Sequence, residues 1–144
     1  MYQDFTNCAT NYEKNAKFFM SRKNTSLKIG LTSEQMPDFY RQNDIMFFPT
    51  KYEGFSMAAL EALSCGLPLI GTRFAVGPEL EGFDFCRLIT NQNTPQELSE
   101  IIIDLYTKYA SQSEKIKIHN AIKEKFGTEQ YKDKLYTFIE NMLK

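Results

Sequence analysis

Apolar positions along this chain fall into short runs that alternate between two periods. D-I-M-F-F-P-T at residues 44–50 is continuously apolar up to Pro49, the pattern of a strand covered on both faces. S-L-K-I-G-L at residues 26–31, L-P-L-I-G-T at residues 67–72 and F-D-F-C-R-L-I at residues 83–89 read as three more short strands. Helical spacing fills the gaps. Tyr12, Ala16, Phe19 and Met20 predict a helix over residues 6–23, followed by a turn at 24–26. Ser33 caps a helix over E-Q-M-P-D-F-Y-R-Q, which Pro37 confines to the residues after it. Met57, Leu60 and Leu63 give an apolar face to a helix that Ser56 caps and Gly66 ends, with Pro68 preventing its continuation. R-F-A-V-G-P-E-L at 73–80 reads as a loop with room for one helical turn.

The remainder of the chain is helical. Thr94, Pro95 and Glu97 form a capping box with proline at the first position, opening a helix that runs through L-S-E-I-I-I-D-L-Y-T-K-Y. Ser111 or Ser113 caps the next helix, which reaches Phe126; Gly127 breaks it and Thr128 caps the last. Short apolar strands alternating with helices, with no hairpin signal between them, predict an α/β fold. Its form is a Rossmann-like parallel sheet with flanking helices and a helical C-terminal tail.

Composition narrows the function classes. At 144 residues the chain predicts one domain, residues 1–144, with 42% hydrophobic and 24% charged content ordinary for a globular protein. A net charge of −1 gives no electrostatic case for nucleic acid. No apolar run approaches the roughly 20 residues of a transmembrane helix, so none is expected. The start M-Y-Q-D-F-T-N-C lacks a secretory pattern, which makes the cytoplasm the expected location. Cys8, Cys65 and Cys86 are widely spaced and His119 is the sole histidine, which argues against a zinc site; no metal is expected. A Cys–His nucleophilic pair would need His119, which sits in the polar helix S-E-K-I-K-I-H-N.

Chemistry concentrates in residues 51–72, where Glu53 and Glu61 lie eight residues apart across a glycine turn and a helix start. In an open parallel sheet, ligands bind beyond the carboxyl ends of the strands. The amides of a helix start favour phosphate, and Gly54 leaves room for close approach. Glu61 has two readings: it accepts the hydroxyls of a ribose, or it lies on an exposed strip, solvated or paired with Lys51 or Arg73. Glu53 likewise either stabilises the helix dipole or accepts from sugar hydroxyls held at the helix start.

At these residues the sequence resembles the E-x7-E segment of the retaining GT-B glycosyltransferases of family 4, also called glycosyl transferases group 1. The family pattern is roughly P-S-x-x-E-G-F-x-x-x-x-L-E-A-M-A-x-G-x-P-V-V-x-T. Here it stands as P-T-K-Y-E-G-F at residues 49–55 and L-E-A-L-S-C-G-L-P-L-I-G-T at 60–72. Similar wording surrounds Asp44, Glu79, the N-T-P-Q-E-L-S-E-I-I helix and F-G-T-E-Q-Y, so the resemblance covers residues 27–144. It implies the C-terminal half of a GT-B fold that binds a nucleotide-diphosphate sugar and transfers the glycosyl group with retention, without a metal or other cofactor.

The resemblance assigns Glu53 to the donor sugar as the catalytic position, Glu61 to the ribose diol, and the amides of Gly54, Phe55, Ser56 and Met57 to the diphosphate. Backbone near Thr32 and Pro49 falls to the base. The family's G-[RK]-x-x-x-x-K-G motif does not occur before Leu27, and Lys51 and Arg73 are the cations available in its place. An N-terminal acceptor-binding domain is expected as a partner, which makes this chain an N-terminally incomplete donor-binding domain. A nucleotide-sugar epimerase fragment and a non-catalytic partner subunit are the rival readings.

Overall fold

The computed structural model describes residues 21, 23–26, 28–54 and 56–142. It clusters into two units, Met1–Ser33 and Glu34–Lys144. The helix expected over residues 6–23 lies outside the described residues except at Ser21 and Lys23, which are in turns. Asn24, at φ 72, makes the expected turn. The strand expected at residues 26–31 is not formed by its described members. Ile29 is 74% exposed, so the alternation buries nothing there, and Gly30 at φ 70 breaks the extended run.

The second unit contains the sheet. Strands β1 (Met46–Phe48), β2 (Leu69–Gly71) and β3 (Cys86–Leu88) are parallel, in the order β1-β2-β3. Met46 pairs with Leu69, Phe48 with Gly71, and Leu69 with Cys86. Helix α1 (Met36–Arg41) precedes β1, with Pro37 in its first turn and Gln35, not Ser33, at the N-cap. Helices α2 (Met57–Ser64) and α3 (Arg73–Leu80) form the two crossovers. After β3 come α4 (Pro95–Tyr109), α5 (Gln112–Phe126) and α6 (Thr128–Met142).

The central strand β2 is buried along its length, and its apolar residues supply the core. Leu63, Leu69, Ile70, Val76, Leu105, Ile118 and Ile122 meet there, while Tyr40, Ala62 and Leu67 form a smaller cluster beside α1. Strand β1 departs from the both-faces expectation. Its side chains alternate, Met46 and Phe48 pack on the core, and Phe47 on the opposite face is 49% exposed.

Helix α2 buries Ala59, Ala62 and Leu63. Met57 does not join that face. It is 58% exposed, because positions 57, 58 and 61 share the strip turned away from the sheet. The turn after α2 is made by Gly66 at φ 83, and a Cβ built there would stand 2.6 Å from the carbonyl oxygen of Lys115. Only glycine lets α2 end this close to the α5 backbone.

Elsewhere the expected caps hold, with small shifts. The stretch labelled α3 holds the expected helical turn at 73–76, and a second short helical piece follows the non-helical Gly77, starting at Pro78. Thr94 and Glu97 complete the capping box of α4, and Ser111 is the α5 cap, accepting from the Glu114 amide. Thr128 is the first residue of α6, not its cap, since Gly127 ends α5 directly before it. Helix α6 buries no residue and leaves Tyr131, Leu135, Phe138, Ile139 and Met142 exposed. Among the described residues no helix is long and apolar enough to cross a membrane.

Gly66 and Gly82 separate two costs. Both have positive φ, but a Cβ at Gly82 meets nothing within 4 Å. Gly82→Ala is expected to cost only the left-handed backbone term, about 1–2 kcal/mol. Gly66→Ala adds a backbone collision, and urea unfolding should show it to be the more destabilising by at least about 1 kcal/mol. Equal losses would show that α2 and α5 are not in close contact at this turn.

Candidate functional site

Three strand ends and one helix start define the site. Strand β1 stops at Pro49, and residues 51–54, including Glu53, run exposed to Ser56. Phe55 lies outside the described residues. Ser56 is buried, and its hydroxyl accepts from the Ala59 amide at 3.2 Å, which caps α2 as its sequence position predicts. The amides of Met57 and Ala58, in the first turn, have no intrahelical acceptor. A Cβ at Gly54 would meet nothing within 4 Å, so the approach to this helix start is open.

Glu61 lies one turn into α2 on the same exposed strip as Met57. The Tyr40 hydroxyl donates to Glu61 Oε2 at 3.2 Å, fixing the carboxylate and leaving Oε1 without a protein donor among the described residues. Among the described residues neither Lys51 nor Arg73 pairs with Glu61, so the salt-bridge reading is not what the structure has. Burial, the charge of Glu61 and this hydrogen bond push the Tyr40 phenol from 10.0 up to about 12.

Of the remaining residues singled out, Pro49 is exposed at the end of β1, and Thr32 is exposed in the first unit, Met1–Ser33.

A cleft of about 540 Å³ opens over the carboxyl ends of all three strands, lined by residues 49–52, 72–74 and 89–91. The Thr72 hydroxyl donates to the Thr50 carbonyl and joins the loops after β2 and β1. Two residues further along each segment, the rings of Tyr52, in the loop after β1, and Phe74, in the first turn of α3, meet with centroids 6.1 Å apart. Tyr52 is 86% exposed and Phe74 52%. Lys51 and Arg73 line the same cleft, with no ion pair to either among the described residues.

Sequence reasoning missed Tyr40, Tyr52, Phe74 and the 89–91 wall. Tyr40 is 21 residues from Glu61, beyond any local pattern. Tyr52 and Phe74 become a pair only once the Phe48–Gly71 register is known.

A second cavity, about 290 Å³, places Cys65 and His119 on one wall with Arg41 and Lys115. The His119 Nδ1 sits 2.6 Å from the Ser64 carbonyl, so that nitrogen carries the proton. Burial, with Glu61 and Asp38, outweighs the pull of Arg41 and raises the Cys65 thiol above its ordinary value. That is the reverse of what a nucleophilic cysteine needs. Among the described residues no three His, Cys, Asp or Glu side chains converge as a metal-binding group.

Residues 9–128 match the family Glycosyl transferases group 1. The chain is 31% identical over 72 residues to an uncharacterized glycosyltransferase of Methanocaldococcus jannaschii, covering 50% of the chain and 20% of that protein. It is 32% identical over 74 residues to the MMP alpha-(1->4)-mannosyltransferase of Mycolicibacterium hassiacum, covering 50% and 17%. With O-antigen chain mannosyltransferase B of Escherichia coli it shares 37% identity over 49 residues, covering 34% and 13%. The chain thus spans a fifth or less of the length of these relatives.

The Tyr40–Glu61 contact has a pH signature. A phenol raised in the folded state adds stability that is complete below pH 10.0 and lost as the pH climbs to about 12. Tyr40→Phe should therefore remove the last tyrosinate step in an ultraviolet absorbance titration. Its stability deficit should be constant below pH 10.0 and shrink above it. A wild-type titration in which all tyrosines ionise together near pH 10.0 would show that the contact is not formed.

Proposed function

The chain belongs to the glycosyl transferases group 1 family, and from that premise we propose that it binds a nucleotide-diphosphate sugar. In this reading the sugar passes to an acceptor with retention of configuration, the acceptor being held by a separate domain. Glu61 accepts the ribose hydroxyls, the first-turn amides of α2 together with Gly54 and Phe55 take the diphosphate, and Glu53 meets the donor sugar. Backbone near Pro49 serves the base. The two relatives named as mannosyltransferases make mannose the sugar to try first.

The observation that carries this reading is the exposed Glu61 carboxylate, steadied by Tyr40 on a helix whose capped start follows the end of a parallel strand. A ribose diol can donate both hydroxyls to one carboxylate, and the diphosphate can then reach the helix amides. As the bond to the sugar breaks, negative charge grows on the leaving phosphate. Fixed amide dipoles stabilise it without reorganising, the kind of electrostatic term that contributes most in such sites. No resident metal takes part in this scheme.

Calorimetric titration of UDP, GDP and ADP tests the assignment. At least one should bind, and Glu61→Ala should weaken it by roughly tenfold to a hundredfold, the loss expected when hydrogen bonds to a charged group are removed. Tyr40→Phe should weaken binding by less. No binding by any of the three at millimolar concentration would end the donor reading for this chain, and unchanged binding in Glu61→Ala would end the ribose assignment.

A further inference from the structure

We propose that Arg41, Lys115 and His119 form a second site, which holds a small oxyanion that also carries a hydroxyl, hydrogenphosphate being the simplest. The site is at the opposite end of α2 from the capped start and does not rest on the donor reading. Its cavity, about 290 Å³, is walled by Arg41 at the end of α1 and by Ser64 and Cys65 at the end of α2. The third wall is the α5 face that carries Gln112, Lys115 and His119. Gly66 makes this arrangement possible, because without a Cβ it lets the Lys115 backbone come close to the turn after α2.

Three side chains of the lining are basic and none is acidic. Lys115 is the least satisfied of the three. Its side chain is only 15% exposed, and its ammonium meets the Asn43 carbonyl at 3.1 Å and Asp44 Oδ1 at 3.3 Å. An ammonium has three donors, so one hydrogen has no protein acceptor among the described residues. A largely covered charge that is incompletely paired favours a ligand that completes its shell. Arg41 gives one nitrogen to Asp38, and both side chains of that pair are exposed, which makes the pair weak. Its other guanidinium nitrogens are available to an anion. Burial keeps the Cys65 thiol above its ordinary value, so it adds no negative charge.

His119 narrows the ligand further. Its Nδ1–H donates to the Ser64 carbonyl, so Nε2 of the neutral imidazole is an acceptor. Sulfate can accept from Arg41 and Lys115 but brings only lone pairs to that nitrogen. Hydrogenphosphate, or a small phosphate ester of a polyol, accepts from both cations and donates an O–H to Nε2. A volume of about 290 Å³ is at the small end of the range for ligand sites, as suits either.

Inorganic phosphate and sulfate, titrated calorimetrically at matched ionic strength into the 144-residue chain, are the probes. Phosphate should bind, and sulfate should bind about tenfold more weakly or worse, for want of the hydroxyl. Lys115→Gln and Arg41→Gln should each weaken phosphate about tenfold. Lys117→Gln, on the same helix but outside the cavity, should leave it unchanged. Thermal unfolding without phosphate checks that Lys115→Gln is folded, and the exposed Arg41 provides a second variant that does not disturb packing. Amide shifts on adding phosphate should centre on residues 41, 64–65 and 112–119. Glycerol 3-phosphate binding more tightly than phosphate would make the ester the ligand, and weaker binding would make it the free ion. No phosphate binding at millimolar concentration, equal binding of sulfate, or unchanged binding in the Arg41→Gln, Lys115→Gln double variant would overturn the site. Phosphate shifts confined to residues 56–59 would also overturn it while leaving the donor reading intact. Phosphate binding through Lys115 with no nucleotide bound would keep this site and defeat the donor reading.

Discussion

Two strand-end loops pass each other closely, and the site depends on that passage. A Cβ at Gly71 would stand 2.8 Å from the Ala75 Cβ and 3.1 Å from the Phe48 carbonyl, so the last residue of β2 must lack a side chain. With that space empty, β2 stays paired to β1 through its final residue, and Thr72 is near enough to bond the Thr50 carbonyl. Everything beyond follows from this register. The rings and the floor of the cleft are placed by the irregular segment after β1 and by the first turn of α3, which follows β2 directly.

Helix α2 supplies the other half and is anchored at both ends. Ser56 satisfies one first-turn amide and leaves others open, and Gly66 lets the far end sit against the α5 backbone. Ala59, Ala62 and Leu63 bury the inner face without bulk, which brings the helix close to β1 and β2. Burial of a leucine such as Leu63 contributes about 1.5–3 kcal/mol, so the helix is held by its back while its exposed strip remains free for a ligand. Tyr40 reaches across from α1 to that strip, and a core residue thereby sets the orientation of a surface carboxylate.

Much of this was legible in the sequence because local rules decided it. The Ser56 cap, the capping box at Thr94 and Glu97, the stop at Gly66 and the three strands β1, β2 and β3 follow from residue type and spacing alone. What escaped was set by distant contacts. Met57 fits an apolar helical pattern but faces solvent, because the sheet claims the side of Ala59 and Leu63. Phe47 belongs to a continuous apolar run, yet no described element covers its face. For Glu61 the residue and its helix were readable, but its partner was not, since Tyr40 approaches through packing between helices. Lys51 and Arg73 were readable as charges, and only the strand register makes them neighbours in a cleft.

The central claim is that a nucleotide diphosphate lies across the α2 start and the joined loops. Amide chemical-shift mapping with UDP, GDP and ADP, each at saturating concentration, tests it most directly. The account requires the largest shifts at residues 51–58, 61 and 72–74, with Tyr40 moving through its contact with Glu61. Shifts concentrated instead at residues 112–119, around the His119 cavity, with residues 51–58 unmoved, would contradict it.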